Sequence, residues 1–405
     1  MVAGPVIGIV GSEGAYGRWL RTFFERRMGS TVLGHDPAAP SSDPVERLLD
    51  DAQVLLFAAP IRRTVEVIDA WRERSAGRER GRLWLDVTSI KQAPVDAMLR
   101  SQAEVVGLHP MTAPPKSPTL KGRVLAICEA RLDAWRPWSR ALLDALQAEC
   151  VRVDPAHHDR AMALIQAMGH ATRLAQAGVL RGYAPTLGPL SSLLPLRTAS
   201  FELDAATIAR ILMLNPMIYE DIQFGNPHVP EMLDRLLDEL GALRGLVERG
   251  DDTARRAFRE RFLDDNRAGL DAGTLADGNY TFERVGYLLA DLVERPSLGV
   301  HLPEDRSGSL RALLTVFERH GISLSSIHSS RTPAGEVHFR IGFADDVDIA
   351  ALDAAAAEIG RDGIGRVLER GLPTRRAGAG IPGRASPASA GDPDPDRDTD
   401  PATAH

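Results

Sequence analysis

The sequence predicts an α/β protein in three parts: a doubly wound parallel sheet, an all-helical segment, and a small α+β unit. Three observations carry this. Short apolar runs alternate with helical patterns up to about residue 150. Strand signals are then almost absent to about residue 290. A compact strand–helix–strand pattern resumes near residue 298.

Residues 6–10 (Val-Ile-Gly-Ile-Val) read as a buried strand, followed by a glycine-rich turn. Residues 15–28 read as a helix with Leu20, Phe23 and Phe24 on one face and Gly29 as its stop signal. Residues 31–35 give a second strand. Val54 to Ala59 gives a third, ended by Pro60, and Leu83 to Val87, Val105 to Leu108 and Val124 to Cys128 complete the series. Runs this short and apolar, separated by helices, belong to a parallel sheet covered on both faces. This first domain is assigned to residues 1–152.

Residues 153–292 carry Leu, Met and Ala at helical spacing and are too long and apolar for a linker, so they form a helical domain. The third domain, residues 296–372, opens with a strand at 298–303. A helix at 308–320, strands near 322–328 and 337–343, and a helix at 348–360 follow. The segment 374–405 is rich in Ala, Gly, Pro, Asp and Ser. It cannot bury enough apolar surface to offset its ordering entropy and is expected to be disordered.

The chain has 405 residues, 44% hydrophobic and 25% charged, which suits a soluble globular protein. With 48 basic and 55 acidic residues the net charge is −7, which argues against a nucleic-acid partner. Arg18, Arg21, Arg26 and Arg27 read as the solvated face of one helix. The two cysteines, Cys128 and Cys150, form no Cys-x-x-Cys motif. They exclude a Cys-based structural zinc site and fit a reducing cytoplasm. No apolar run is long enough to span a bilayer and no cleavable leader is recognisable, so a cytoplasmic location without membrane partners is expected.

The turn after the first strand reads Gly11-Ser12-Glu-Gly14-Ala-Tyr-Gly17. Glycines let a backbone approach a pyrophosphate, and the helix N-terminus behind them offers free N–H groups and a favourable dipole. The spacing is Gly-x-x-Gly-x-x-Gly rather than Gly-x-Gly-x-x-Gly, so an ordinary tight turn is the alternative. The context of strand, glycines and helix favours a Rossmann-like dinucleotide site. Asp36, after the second strand, can accept from a ribose 2′-hydroxyl and repels a 2′-phosphate, which favours NAD over NADP. A turn-forming Asp before Pro37 is the other reading. Pro60, ending the third strand, completes the expected cofactor contacts.

Two further segments follow predicted strands: Asp86-Val-Thr-Ser89-Ile-Lys91 and Gly107-Leu-His109-Pro110-Met111. Open α/β sheets bind ligands at the carboxyl ends of their strands, so these polar groups are candidate catalytic residues. An imidazole titrates near neutral pH and suits a general base. A structural histidine capping a loop remains the alternative for His109.

Together these segments resemble the prephenate dehydrogenase family. The likeness rests on Gly11, Gly14 and Gly17 with Arg18 and Trp19, on Ala59-Pro60, on Asp86 to Lys91 and on Leu108 to Met111. It continues through His158-Asp159, Gln166, His170, Arg210 and Asn215-Pro216-x-x-Tyr219-x-Asp221-Ile222, in order from residue 6 to about 290. The resemblance implies NAD-dependent oxidative decarboxylation of prephenate to 4-hydroxyphenylpyruvate, on the route to tyrosine, by a homodimer. It implies that His109 is the base, that Ser89 orients it or the ring hydroxyl, and that Lys91 adds positive charge near substrate and cofactor. It implies that Arg210 holds a substrate carboxylate and that His170 and Tyr219 line the pocket. Arg210 reads otherwise as an ion-pair partner of Glu202 or Asp204, and His158-Asp159 reads mainly as a helix start. No metal is implied. Relatives often carry Gly at the position of Ala113 and an acidic residue at that of Pro115. These departures leave arogenate and 4-amino-4-deoxyprephenate as alternative substrates.

Residues 298–370 resemble an ACT domain through Leu302-Pro303-Glu304, Gly308-Ser-Leu310, Phe317, Gly321 to Leu324 and Ile327 to Arg331. That implies regulation by tyrosine or phenylalanine, with a ligand-free dimerisation module as the alternative. A catalytically inactive amino-acid sensor is the reading from a different functional class.

Overall fold

The computed structural model describes residues 4–292, 296–302, 308–331, 337–344 and 346–371. The expected disordered tail, and Pro303 and Glu304 of the ACT-like motif, lie outside the described residues. The chain forms two compact units, one holding Met1–Ala290, the other Asp291–Ser330 and the residues from Val337 onward.

The first unit opens with β1 (Ile7–Val10), α1 (Ala15–Arg27), β2 (Val32–His35), α2 (Val45–Asp51), β3 (Val54–Phe57) and α3 (Ile61–Ser75). It continues with β4 (Leu83–Asp86), α4 (Gln92–Leu99), β5 (Glu104–Pro110), β6 (Val124–Arg131), α5 (Arg136–Leu146) and β7 (Glu149–Arg152). The seven strands lie in the order β2-β1-β3-β4-β5-β6-β7. Every residue of β1, β3 and β4 is buried, because helices cover both sheet faces. One core, around Ile7, Ile9, Phe23, Phe24 and Leu56, packs against α1 and α5. The other, around Val10, Phe57, Ile68, Trp71 and Trp84, packs against α2 to α4. Side chains this enclosed contribute roughly 1.5–3 kcal/mol each.

The sheet is not wholly parallel. β5 and β6 pair antiparallel, while β1 to β5 and the β6–β7 pair are parallel. No helix lies between β5 and β6, so the chain turns back on itself there, whereas a parallel neighbour needs a crossover. The edge strand β7 reads Glu-Cys-Val-Arg and is largely exposed, so it lacks the apolar run that marks the other strands.

The helical layer comprises α6 (Pro155–Met162), a π-helical turn (Ala163–Met168), α7 (Gly169–Leu187), α8 (Leu190–Leu193), α9 (Ala199–Met213) and α10 (Pro216–Gly225). It ends with α11 (Val229–Arg249), α12 (Asp252–Phe258), a second π-helical turn (Arg259–Asp264), α13 (Asp265–Gly269) and α14 (Ala272–Leu292). Asp154 caps α6 by accepting from His157 N at 2.8 Å, with Pro155 in the first turn. Asn215 caps α10 the same way through Met217 N. Arg62 of α3 ties the layers together, donating from Nε to Asp221 Oδ1 of α10 at 2.5 Å. Among the described residues no helix is long and apolar enough to cross a membrane.

The second unit runs β8 (Ser297–Leu302), α15 (Ser309–Arg319), β9 (Leu324–Arg331), β10 (Val337–Phe343), α16 (Ile349–Arg361) and β11 (Arg366–Gly371). This βαββαβ chain forms a four-stranded sheet in the order β11-β8-β10-β9. Both neighbours of β8 run antiparallel to it, and its core holds Val300, Phe317, Ile341, Phe343 and Ile359. The closing strand β11 has no simple alternation to announce it, and its register shifts between Val367 and Glu369.

Candidate active site

The glycine turn is built for close backbone approach. Gly11 has φ +85°, and a Cβ there would lie 2.7 Å from Ala58 O. A Cβ on Gly17 would lie 2.1 Å from Gly11 O, so only glycine lets α1 start this close to the turn. Gly14 is the N-cap of α1 and has no side chain to cap it, and no acidic residue occupies the first turn. An uncapped helix N-terminus of this kind offers free N–H groups to an anion, and the turn fits a dinucleotide. Ser12 is fully buried: its N–H donates to His35 O and its hydroxyl contacts Glu13, so it shapes the turn from below. Asp36 accepts from Glu13 N at 3.1 Å through one carboxylate oxygen and from Ala38 N at 3.0 Å through the other. It therefore braces the glycine turn and forms its own Asx turn, both at the carboxyl end of β2. Pro60 is the exposed N-cap of α3, at the end of β3.

His109 sits near the carboxyl end of β5, 2% exposed. Its Nδ1 lies 3.0 Å from His158 Nε2, and the rings meet edge-on with centroids 5.1 Å apart. His158 Nδ1 lies 2.8 Å from Asp159 Oδ1. The Asp159 carboxylate accepts from Lys91 N at 2.8 Å and from Gln92 N at 3.0 Å, the first N–H groups of α4. Asn226 Nδ2 donates to Asp159 O at 2.7 Å and fixes that end of α6. All four members of this group are at least nine-tenths buried.

Beneath them, Lys91 Nζ donates to Asp86 Oδ2 and, at 2.8 Å, to Leu108 O. Both residues are fully buried. Gly107 makes room, since a Cβ there would lie 3.1 Å from Asp86 Oδ1 and 3.2 Å from Lys91 Cδ. The expectation that Lys91 places charge near the substrate is corrected by this. Its ammonium is fully buried, held by Asp86 and by Leu108 O. Burial, then the Lys91 ammonium and His158, push the His109 pKa well below 6.5. His109 is therefore a neutral imidazole at neutral pH, the form a base requires. Ser89, just beyond β4, is half-buried, and its hydroxyl makes no hydrogen bond among the described residues.

On the helical side, a π-helical turn separates α6, with His158, from α7, with His170. The His170 and Tyr219 rings meet edge-on with centroids 4.8 Å apart. Burial lowers the His170 pKa. His170 Nδ1 and Gln166 Oε1 are buried polar atoms with no partner among the described residues, which suits a polar ligand. Arg210 is exposed in the last turn of α9. Glu202 and Asp204 pair instead with Arg197 at 2.9 Å and Arg173 at 2.8 Å, which removes the ion-pair reading. The loop after β5 is held against α1, with Tyr16 Oη donating to Thr112 O and Trp19 Nε1 to Ser117 O at 3.0 Å. Among the described residues no group of His, Cys, Asp or Glu could hold a metal ion.

Residues 154–261 match the family model described as prephenate dehydrogenase, dimerization domain, and residues 297–361 match that of the ACT domain. The 4-amino-4-deoxyprephenate dehydrogenase of Streptomyces pristinaespiralis is 30% identical over 277 residues, which cover 62% of this chain and 89% of that protein. This chain belongs to the prephenate dehydrogenase family. The T-protein of Enterobacter agglomerans is 29% identical over 252 residues, 62% of this chain, and the chain spans only 64% of that protein's length. The crystal structure of prephenate dehydrogenase from A. aeolicus, in complex with hydroxyphenyl propionate and NAD+, shares the fold. Its TM-score is 0.52 at 17% identity, covering 67% of this chain and 99% of that one.

Within this family fold, sequence reasoning underrated His158-Asp159, taken as a helix start. A His-Asp pair on a helix is ordinary in sequence; its meaning comes from α4 and β5, which supply its partners. Asn226 was missed because both its side-chain contacts, to Asp159 O and from His228 N, are with backbone atoms.

Proposed function

We propose that this protein catalyses NAD-dependent oxidative decarboxylation of prephenate to 4-hydroxyphenylpyruvate, in tyrosine biosynthesis. The observation that carries the reading is His109: a buried neutral imidazole with Nδ1 engaged and Nε2 making no hydrogen bond among the described residues, at the carboxyl edge that also holds the glycine turn. Gly11, Gly14 and Gly17 would hold NAD, with Asp36 for its ribose, and the bound cofactor would supply the hydride acceptor. His109 accepts the proton of the ring hydroxyl while hydride leaves the same carbon, and loss of carbon dioxide from the opposite carbon aromatises the ring. Positioned acid–base help of this kind gives typically ~10²–10⁴-fold. Ser89 orients the hydroxyl, Arg210 binds a carboxylate, and His170 and Tyr219 line the pocket.

The name of the Streptomyces relative, and the Ala113 and Pro115 departures, favour 4-amino-4-deoxyprephenate or arogenate as a second reading. NADH absorbance after mixing the protein and NAD+ with each substrate separates these; failure on all of them refutes the activity. The dimerization-domain match, and exposed apolar residues such as Met213 and Phe224, support a homodimer. The ACT match supports tyrosine or phenylalanine as effector, and unchanged kinetics with either present would refute it.

A further inference from the structure

We propose that His158 and Asp159 are positioning residues that fix the tautomer of His109 and hold its proton during turnover. The inference deepens the proposed function and rests on His109 being the base. With His158 taken as neutral, the donor pattern along the chain has one solution. Asp159 accepts on both oxygens from the α4 N-terminus, where an anion is favoured, so its Oδ1 accepts from His158 Nδ1–H as well. A neutral His158 protonated at Nδ1 presents a lone pair at Nε2. His109 Nδ1, 3.0 Å away, must then carry the proton. That leaves the lone pair of His109 on Nε2. The opposite tautomer would put a proton on Nε2 and make His109 useless as a base.

The same chain gives the borrowed proton a second place to rest. In the reaction, the O–H bond breaks as Nε2–H forms, and hydride leaves with its bonding pair. The carbon–carboxylate bond then gives its pair to the ring, and the proton returns to the phenolate oxygen. No net proton is consumed, so the enzyme stores one charge briefly. Storing it on His109 is unfavourable, because burial and the Lys91 ammonium oppose an imidazolium there. Passing the Nδ1 proton to His158 Nε2 moves the charge one ring away from Lys91 and Asp86 and places it against the Asp159 carboxylate, whose capping of α4 holds it in line.

The test has two readouts on the full chain. ¹⁵N NMR of imidazole-labelled protein, without substrate or cofactor, is expected to show His109 protonated at Nδ1, and Asp159→Asn to move that proton to Nε2. His109 protonated at Nε2 in the unmodified protein overturns the proposal. In kinetics, His158→Gln keeps an acceptor for His109 Nδ1–H but cannot take a proton. Its kcat should fall about 10²-fold or more with KM and NAD+ affinity unchanged, and its proton inventory in mixed H₂O/D₂O should become linear where the unmodified protein gives a curve. Undiminished kcat in His158→Gln overturns the storage role. Because the NMR needs no turnover, inactivity on every cyclohexadienyl substrate refutes the proposed function while leaving the tautomer result standing.

Discussion

A histidine kept neutral inside a fold makes stability depend on pH, and His109 predicts the sign and size of that effect. In the unfolded chain it titrates at its ordinary 6.5, whereas in the folded protein its pKa lies well below this. Below pH 6.5 the unfolded state therefore binds a proton that the folded state refuses. Stability from this group is complete above 6.5 and falls with pH until the folded pKa is reached. The slope is about 1.4 kcal/mol per pH unit. Between about pH 7.5 and about pH 5.5 the unmodified protein should lose roughly 1.4 kcal/mol more than His109→Asn, which keeps a donor near the Nδ1 position without titrating. The fluorescence of the five tryptophans isolates the relevant domain, because Trp19, Trp71, Trp84, Trp135 and Trp138 all belong to the sheet cores. Urea unfolding followed by this signal at both pH values measures the difference. The acid limb of kcat/KM should likewise fall below 6.5, because the neutral ring is the active form. Parallel stability losses in the two proteins, together with activity already halved at 6.5, would refute the neutral buried imidazole.

Other substitutions probe the parts around it. Lys91→Met should destabilise the sheet domain by about 3–5 kcal/mol in urea, because Asp86 is left buried without its cation, and adding Asp86→Asn should recover most of that loss. Gly17→Ala should abolish NAD+ binding measured by calorimetry, since its Cβ would lie 2.1 Å from Gly11 O and force the turn open. Arg210→Lys should raise KM for the dicarboxylate substrate about 10-fold or more while NAD+ affinity is unchanged, because an ammonium replaces a planar fork.

What the sequence disclosed depended on how local the determining contacts were. The glycine turn was legible because Gly14 and Gly17 answer constraints within a few residues and Gly11 its own positive φ. The strands Ile7–Val10 and Val54–Phe57 were legible because burial on both faces leaves a continuous apolar run. Glu149–Arg152 was not, since an edge strand needs no such run. The direction of Val124–Arg131 was hidden because it follows from a missing crossover helix rather than from the strand's own residues. His109 stood out by its place after a strand. The role of Lys91 did not, because burial of an ammonium is decided by Asp86 and by the space Gly107 leaves, two facts that no helix-start pattern contains.

The proposed base is built across two layers. A histidine on a sheet edge alone exposes both ring nitrogens to water, and its tautomer is then set by solvent. Here the second nitrogen is taken by a residue on the first helix of the other layer, and that residue is oriented by a carboxylate clamped on the first turn of α4. On the proposed reading, docking of α6 on the sheet creates the base as well as the pocket beside it. The contacts that hold the layers together, Arg62 to Asp221 and Asn226 to Asp159, would then stabilise the proposed tautomer at the same time. Weakening that docking should lower kcat before it unfolds the protein, because the alignment of His158 is lost while both cores remain intact.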